Sequence, residues 1–258
     1  MMSAGQGNKR IMKRRHIFFD LGYTLLYLNR EIPFRKLLEN RGYRLSLEEI
    51  EEGFHLTDKL FMREFPGVLG KPAETFMPWY HARLLHHFHI QLDICEFYSD
   101  WKKELRGPLE SWFPYPFVSG VLSELKNRGF RLGVISNWDP SARLILDRHN
   151  LTGLFDSIVI SSECGCEKPS RDIFRKAMEE LSAGPEESLY VGDNYYDDFI
   201  GSRRAGMDCR IINRFGTRGV EELTDCRIIP DIRALLVPEG DESGEAAAPV
   251  SNRFLSER

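Results

Sequence analysis

The stretch His16–Leu28, HIFFDLGYTLLYL, decides the fold. Three apolar residues follow His16, and the run stops at a carboxylate, Asp20. The next residues, LGYT, are small or polar enough for a tight loop. A short apolar run bounded by turn residues suits a buried strand. In open α/β sheets ligands gather outside the carboxyl ends of strands, so Asp20 is a candidate active-site group.

Working outward, the chain changes character over residues 31–107. Helical periodicity dominates in FRKLLENRG, LEEIEEGFHLTDKLFMREF, ETFMPWYHARLLHHFHI and ICEFYSDWKKELRG, broken by Pro66, Gly67, Gly70 and Pro72. This reads as a helical insertion. The Pro-rich segment GPLESWFPYPF then returns the chain to the main domain.

From Val118 onward, helix and strand signals alternate. VSGVLSELKNRG is helical, FRLGVIS is a buried strand, and DPSARLILDRHN starts a helix with Asp139 as N-cap and Pro140 in its first turn. SIVIS, SLYVGD and CRIIN read as strands, with SRDIFRKAMEEL and YDDFIGSRRAG as helices between them. Such alternation predicts an α/β fold, a three-layer Rossmann-like parallel sheet, with an α-helical cap inserted after the first strand. The core is expected to span 13–30 and 108–238 and the cap 31–107. Residues 1–12 and 239–258 read as disordered tails.

Composition narrows the function. The chain has 258 residues, 42% of them hydrophobic, which supports one large domain or a domain with an insertion. A net charge of -4 gives no electrostatic case for nucleic acid as a partner. No stretch is long and apolar enough to span a membrane. The basic leader MMSAGQGNKRIMKRRH lacks an apolar signal core. Five scattered cysteines suit reduced thiols in a cytoplasmic protein. The sequence gives no reading of oligomeric state.

Three strands end in groups that meet at one sheet edge. The first ends at Asp20, with Thr24 beyond it. A second ends at Ser136 and Asn137. A third ends at Gly192 and Asp193, with Asp197 and Asp198 on the following turn. Lys168 precedes a helix. A nucleophilic carboxylate, a hydroxyl, an ammonium and an acidic metal site suit phosphoryl transfer, where charge is neutralised and phosphorus is held in line.

FFDLGYTL, GVISN, EKPSRDIF and VGDNYYDD, in that order, resemble the four motifs of the haloacid dehalogenase-like (HAD) hydrolase superfamily, and the insertion resembles the C1 cap of its subfamily I. The resemblance runs from His16 to about Leu236. It implies a Mg²⁺-dependent phosphatase that acts on a small phosphorylated metabolite through an aspartyl phosphate. By position, Asp20 matches the nucleophile. Ser136, with Asn137 beside it, and Thr24 match substrate-binding positions, and Lys168 matches the lysine that steadies nucleophile and phosphate. Asp20, the Gly22 carbonyl, Asp193 and Asp198 match the Mg²⁺ ligands, Asp198 better than Asp197.

Gly22 departs from the pattern. Family phosphatases usually carry an aspartate there, which protonates the leaving oxygen and then activates water. Glycine keeps the carbonyl and loses the acid, worth about 10²–10⁴ in rate. It also permits a backbone conformation that aspartate would strain. Tyr23, or a group from the cap or from the substrate, is the expected substitute. Other readings stay open: a 2-haloacid dehalogenase, a weakly active or non-catalytic phospho-ligand-binding homologue, or a phosphonatase-like activity needing a cap lysine. Lys36, Lys59 and Lys71 are present for that role, none marked by its context. CGC, Cys164–Cys166, reads as plain thiols rather than a zinc site. His81, His86, His87 and His89 read as a solvated helix face. The aromatics Trp79, Tyr80, Trp112, Phe113 and Tyr115 read as core.

Overall fold

A computed structural model describes residues 14–105 and 107–237. The tails expected at 1–12 and 239–258 lie outside the described residues. Strand β1 (His16–Phe19) is central, pairing in parallel with β4 (Arg131–Ser136) on one side and β6 (Ser188–Gly192) on the other. With β5 (Ser157–Ile160), β7 (Asp208–Ile212) and β8 (Arg227–Ile229), the sheet runs β5-β4-β1-β6-β7-β8, all parallel. Both faces are covered. Ile17 and Phe19 point into one apolar cluster and Phe18 into the other, as the two-residue period of a strand requires. The expected α/β architecture is therefore observed, with β8 as an additional edge strand.

Between β1 and β4 the chain leaves the sheet. Strand β2 (Leu26–Leu28) pairs antiparallel with β3 (Trp112–Pro114), so the two ends of the excursion are tied together beside the sheet. This two-stranded unit went unread in the sequence, because three-residue strands carry too little periodicity. Among the described residues, the longer helices between β2 and β3 are α1 (Glu31–Glu39), α2 (Leu47–Glu64), α3 (Met77–His87) and α4 (Ile94–Glu104). Helix α2 starts at a reciprocal cap: Ser46 Oγ accepts from the Glu49 amide, and the Glu49 carboxylate accepts from the Ser46 amide. The four helices share a core of their own, built on Phe34, Phe54, Phe61, Tyr80, Phe97 and Trp101.

The main-domain helices include α5 (Val118–Asn127), α6 (Ser141–Arg148), α7 (Arg171–Glu180) and α8 (Ile200–Arg204). Helix α6 begins at Ser141 with Pro140 at its N-cap, one residue later than expected, and the Asp139 carboxylate accepts from the Ser141 amide at 2.7 Å. The helix expected at YDDFIGSRRAG differs in one respect. Tyr195–Phe199 forms a π-helical turn before α8 begins. The Asn194 side chain accepts from the amides of Tyr196 and Asp197, while Asp198 is drawn toward the strand ends. Widened turns of this kind concentrate at functional sites.

His81 is not on a solvated face. It is fully buried among Phe34, Phe97 and Trp101, and neither ring nitrogen has a hydrogen-bond partner. His86 and His89 are exposed. Burial lowers the His81 pKa to about 3, so the folded imidazole stays neutral where the unfolded one charges. Between pH 6.5 and about 3 the unfolded chain binds the extra proton, so stability falls as pH falls. The expected loss from pH 7 to pH 5 is about 2 kcal/mol from this group. Urea unfolding at the two pH values checks it, and His81→Leu is expected to remove that part of the slope.

Candidate active site

The carboxyl ends of β1, β4 and β6 converge. Asp20 follows β1, and its amide extends the ladder by donating to the Val191 carbonyl at 2.9 Å. Ser136, the last residue of β4, donates its hydroxyl to Asp20 Oδ1 at 2.8 Å. Lys168 Nζ reaches the same oxygen at 2.8 Å, Asp198 Oδ1 at 2.6 Å and the Tyr190 hydroxyl at 3.1 Å. All three ammonium protons are thereby used. Among the described residues no hydrogen bond goes to Asp20 Oδ2, so one oxygen of this carboxylate is anchored and the other is open.

Asp198 arrives from the π-helical turn. Its Oδ2 accepts from the Asn194 amide at 2.9 Å. Gly192 makes the approach possible, because a Cβ there would lie 2.2 Å from Asp198 Oδ2. Asp197 instead accepts from the Asn194 side chain. Asp20, Asp193 and Asp198 are buried, and each presents an oxygen within 4.8 Å of the others. Burial raises the Asp20 pKa, with Lys168 opposing and Asp198 adding to the rise. Burial likewise raises Asp193 to about 6 and Asp197 to about 7, with neighbouring carboxylates pushing the same way. Burial alone would lower the Lys168 pKa, but Asp198 and Asp20 raise it on balance. A cluster of oxygen donors that repel one another and are closed to water suits a hard divalent cation.

Asn137 uses its amide on one partner. Oδ1 accepts from the Lys168 amide at 2.7 Å, and Nδ2 donates to the Lys168 carbonyl at 2.9 Å. It therefore fixes the backbone that carries Lys168. Thr24 is buried, its hydroxyl without a hydrogen bond.

Around Gly22 the strain falls elsewhere than expected. The left-handed residue is Tyr23, at φ 52°, and Gly22 is not in that region. An aromatic residue in that conformation costs about 1–2 kcal/mol. The Tyr23 ring lies 5.5 Å from Trp112 and 4.8 Å from the Arg30 guanidinium. Burial pushes its hydroxyl pKa well up, which makes it a weak acid. A Cβ at Gly22 would sit 3.5 Å from Trp138 and 3.6 Å from Trp112, in ordinary contact. A carboxylate there would be set against indole rings. Trp112 is thus a wall of the loop rather than interior core.

The group the sequence did not mark is Lys59. From α2 its Nζ donates to the Asp193 carbonyl at 2.5 Å and lies 3.1 Å from Asp193 Oδ2. The helical insertion thus places a buried ammonium at the acidic cluster. A signal existed. Glu51, His55, Asp58 and Lys59 form a polar stripe at helical spacing, flanked by Ile50, Phe54 and Phe61 of the insertion core. That stripe faces the sheet domain: Glu51 pairs with Arg214, and His55 meets the Arg218 carbonyl. Asp58 pairs with Arg30, which stacks on Phe54 at 4.1 Å. A cavity of about 30 Å³ remains between the two parts, lined among others by Tyr23, Arg30, Lys59 and Asp193.

The parallel sheet thus gathers an open aspartate oxygen, a serine hydroxyl, a buried lysine and an acidic cluster at its strand ends. Residues 17–212 match the family model described as "Haloacid dehalogenase-like hydrolase", and the chain belongs to that family. It is 27% identical over 202 residues to "Haloacid dehalogenase-like hydrolase domain-containing protein 3" of Mus musculus, covering 76% of this chain and 80% of the relative. It is 37% identical over 106 residues to the "Glyceraldehyde 3-phosphate phosphatase" of Methanothermobacter thermautotrophicus, covering 39% of this chain and 45% of the relative. A solved HAD phosphatase from Thermococcus onnurineus overlays with a TM-score of 0.52 at 25% identity, over 86% of this chain and 95% of that one. No helix among the described residues is long and apolar enough to cross a membrane.

Proposed function

We propose that this hydrolase is a Mg²⁺-dependent phosphatase acting on a small phosphorylated metabolite in a reducing cytoplasm. The observation that carries the reading is the open Oδ2 of Asp20 beside Ser136, Lys168 and the Asp193–Asp198 pair. Asp20 Oδ2 attacks phosphorus while Oδ1 stays anchored, giving an aspartyl phosphate and a departing alkoxide. Ser136 turns its hydroxyl from Asp20 to a phosphoryl oxygen. Lys168 holds the nucleophile in line and offsets charge on the phosphoryl group, with Asn137 fixing its backbone. Asp20, Asp193 and Asp198 would hold the metal with the Gly22 carbonyl, and the bound ion would supply charge neutralisation for the phosphoryl oxygens. Thr24, with its unspent hydroxyl, is a further phosphate donor. The substrate enters from the side of the helical insertion, which acts as a cap. Phosphatases among the relatives support the phosphate ester over a haloacid, and a cluster of buried carboxylates supports a metal, which dehalogenation does not need.

The test is an activity panel of phosphate esters, acyl phosphates and 2-haloacids with Mg²⁺ or a chelator. Phosphate release that needs Mg²⁺ is expected. Halide release in chelator would replace this reading. Gly22 favours one alternative, a weakly active phospho-ligand-binding homologue, and binding without turnover across the panel would select it.

Lys59 is proposed to take over part of the lost acid's work. Its ammonium lies on the cap side of the acidic cluster, where the leaving oxygen develops charge. An alkyl leaving group needs that help more than an aryl one. Lys59→Met is therefore expected to lower kcat on an alkyl phosphate by about 10²-fold, the scale of losing one preorganised donor, and on an aryl phosphate by much less. Equal losses on both substrates would leave Lys59 as a cap-closing contact only.

A further inference from the structure

We propose that Cys164 and Cys166 form a dithiol site that closes to an intrachain disulfide on exchange with a small-molecule disulfide, and that closure shifts the segment carrying Lys168. The two sulfurs lie 3.0 Å apart, and the Cys164 thiol points at the Cys166 carbonyl at 3.1 Å. Gly165 between them is left-handed, at φ 70°, a turn conformation that glycine adopts without strain. A disulfide needs sulfurs about 2.05 Å apart, so the pair must close by only about 1 Å. Both side chains are half-buried, open enough for a small reagent. Neither thiol belongs to the acidic cluster or has a role in the chemistry above.

The exchange balances in two steps. The Cys164 thiolate attacks one sulfur of the reagent and releases its other half as a thiol. Cys164 leads because burial holds the Cys166 thiol protonated, its pKa raised to about 11. Cys166, on losing its proton, then attacks Cys164 Sγ and expels the second half. Two electrons pass to the reagent, and the two thiol protons end on the released thiols.

The position gives the site its consequence. Glu167, the next residue, lies 3.6 Å from Lys71 of the helical insertion. Lys168 follows, its ammonium on Asp20 and Asp198 and its amide on Asn137. One five-residue segment thus joins the dithiol, the insertion and the buried lysine. Drawing the two sulfurs together pulls on this segment at its Cys166 end, two residues from Lys168.

The test uses the full chain equilibrated in buffers of reduced and oxidised glutathione, then alkylated and mapped by mass spectrometry without reduction. The expected product is a peptide holding both cysteines that has lost two hydrogens, restored by dithiothreitol. Hydrogen exchange of the Lys168 amide should quicken severalfold in the linked form. Cys164→Ser should give neither change. Glutathione adducts without an intrachain link at every buffer ratio would overturn the site. A linked peptide with unchanged exchange at Lys168 would overturn the coupling. Neither readout depends on phosphatase activity.

Discussion

Asp20→Asn is expected to reduce phosphate release to roughly 10⁻³ of wild type or less, on the scale of losses seen when a nucleophilic constellation loses a member. The reason is local. Asparagine keeps the carbonyl oxygen that accepts from Ser136 and Lys168, but replaces the open oxygen with an amide nitrogen that is a poor nucleophile. The fold should not suffer. Burial disfavours the charged form of Asp20, so replacing it with a neutral group leaves stability unchanged or raised. Activity assays with thermal melting check the two halves together, with deamidation excluded by mass spectrometry. Near wild-type turnover would assign the nucleophile to another residue.

Lys168→Met carries the largest expected stability effect. The ammonium is buried between Asp20 and Asp198, both buried as well. Removing one partner of a buried ion pair leaves the others uncompensated, at about 3–5 kcal/mol. Urea unfolding at pH 7.5 in chelator should read that loss. Saturating Mg²⁺ should recover part of it, because a ligand that binds only the folded chain stabilises it and offsets the same carboxylates. A loss within the ~0–1 kcal/mol range of an exposed pair would mean the carboxylates do not depend on Lys168. The pair of experiments separates roles: Asp20 is costly to the fold and needed for chemistry, whereas Lys168 serves both.

The same contrast explains why the fold permits so polar a centre. Lys168, Tyr190 and Asp198 are buried at the point where strand ends leave backbone groups and side chains facing each other. The Lys168 ammonium, the Tyr190 hydroxyl and both Asp198 oxygens each find a partner, and Gly192 keeps the distance short. His81 is the opposite case, a buried polar ring without partners, tolerated because it can stay neutral.

By itself the sequence determined the alternation of strands and helices, and with it the parallel sheet. Short bounded apolar runs and the 3.6-residue period are local properties, legible in HIFF and in RDIFRKAMEE. It also set which residues stand at strand ends: Asp20, Ser136 and Asp193 each follow or close an apolar run, and a parallel sheet brings such ends to one edge. Tertiary structure alone decided the rest, because those features depend on distances between segments far apart in the chain. Lys59 lies 134 residues from Asp193, and no local pattern states that one helix of the insertion docks its polar stripe there. Trp112, in β3, and Trp138, after β4, come to Gly22 from two distant segments, so the apolar wall at the missing aspartate could not be read from LGYT. Strain at Tyr23 rather than Gly22 goes with the tight Leu21–Leu26 turn, where the Tyr23 amide donates to the Leu26 carbonyl at 2.7 Å, a closure that the residue types in LGYT do not state. Periodicity fixes which face of an element is apolar; only packing fixes what that face, or its polar opposite, meets.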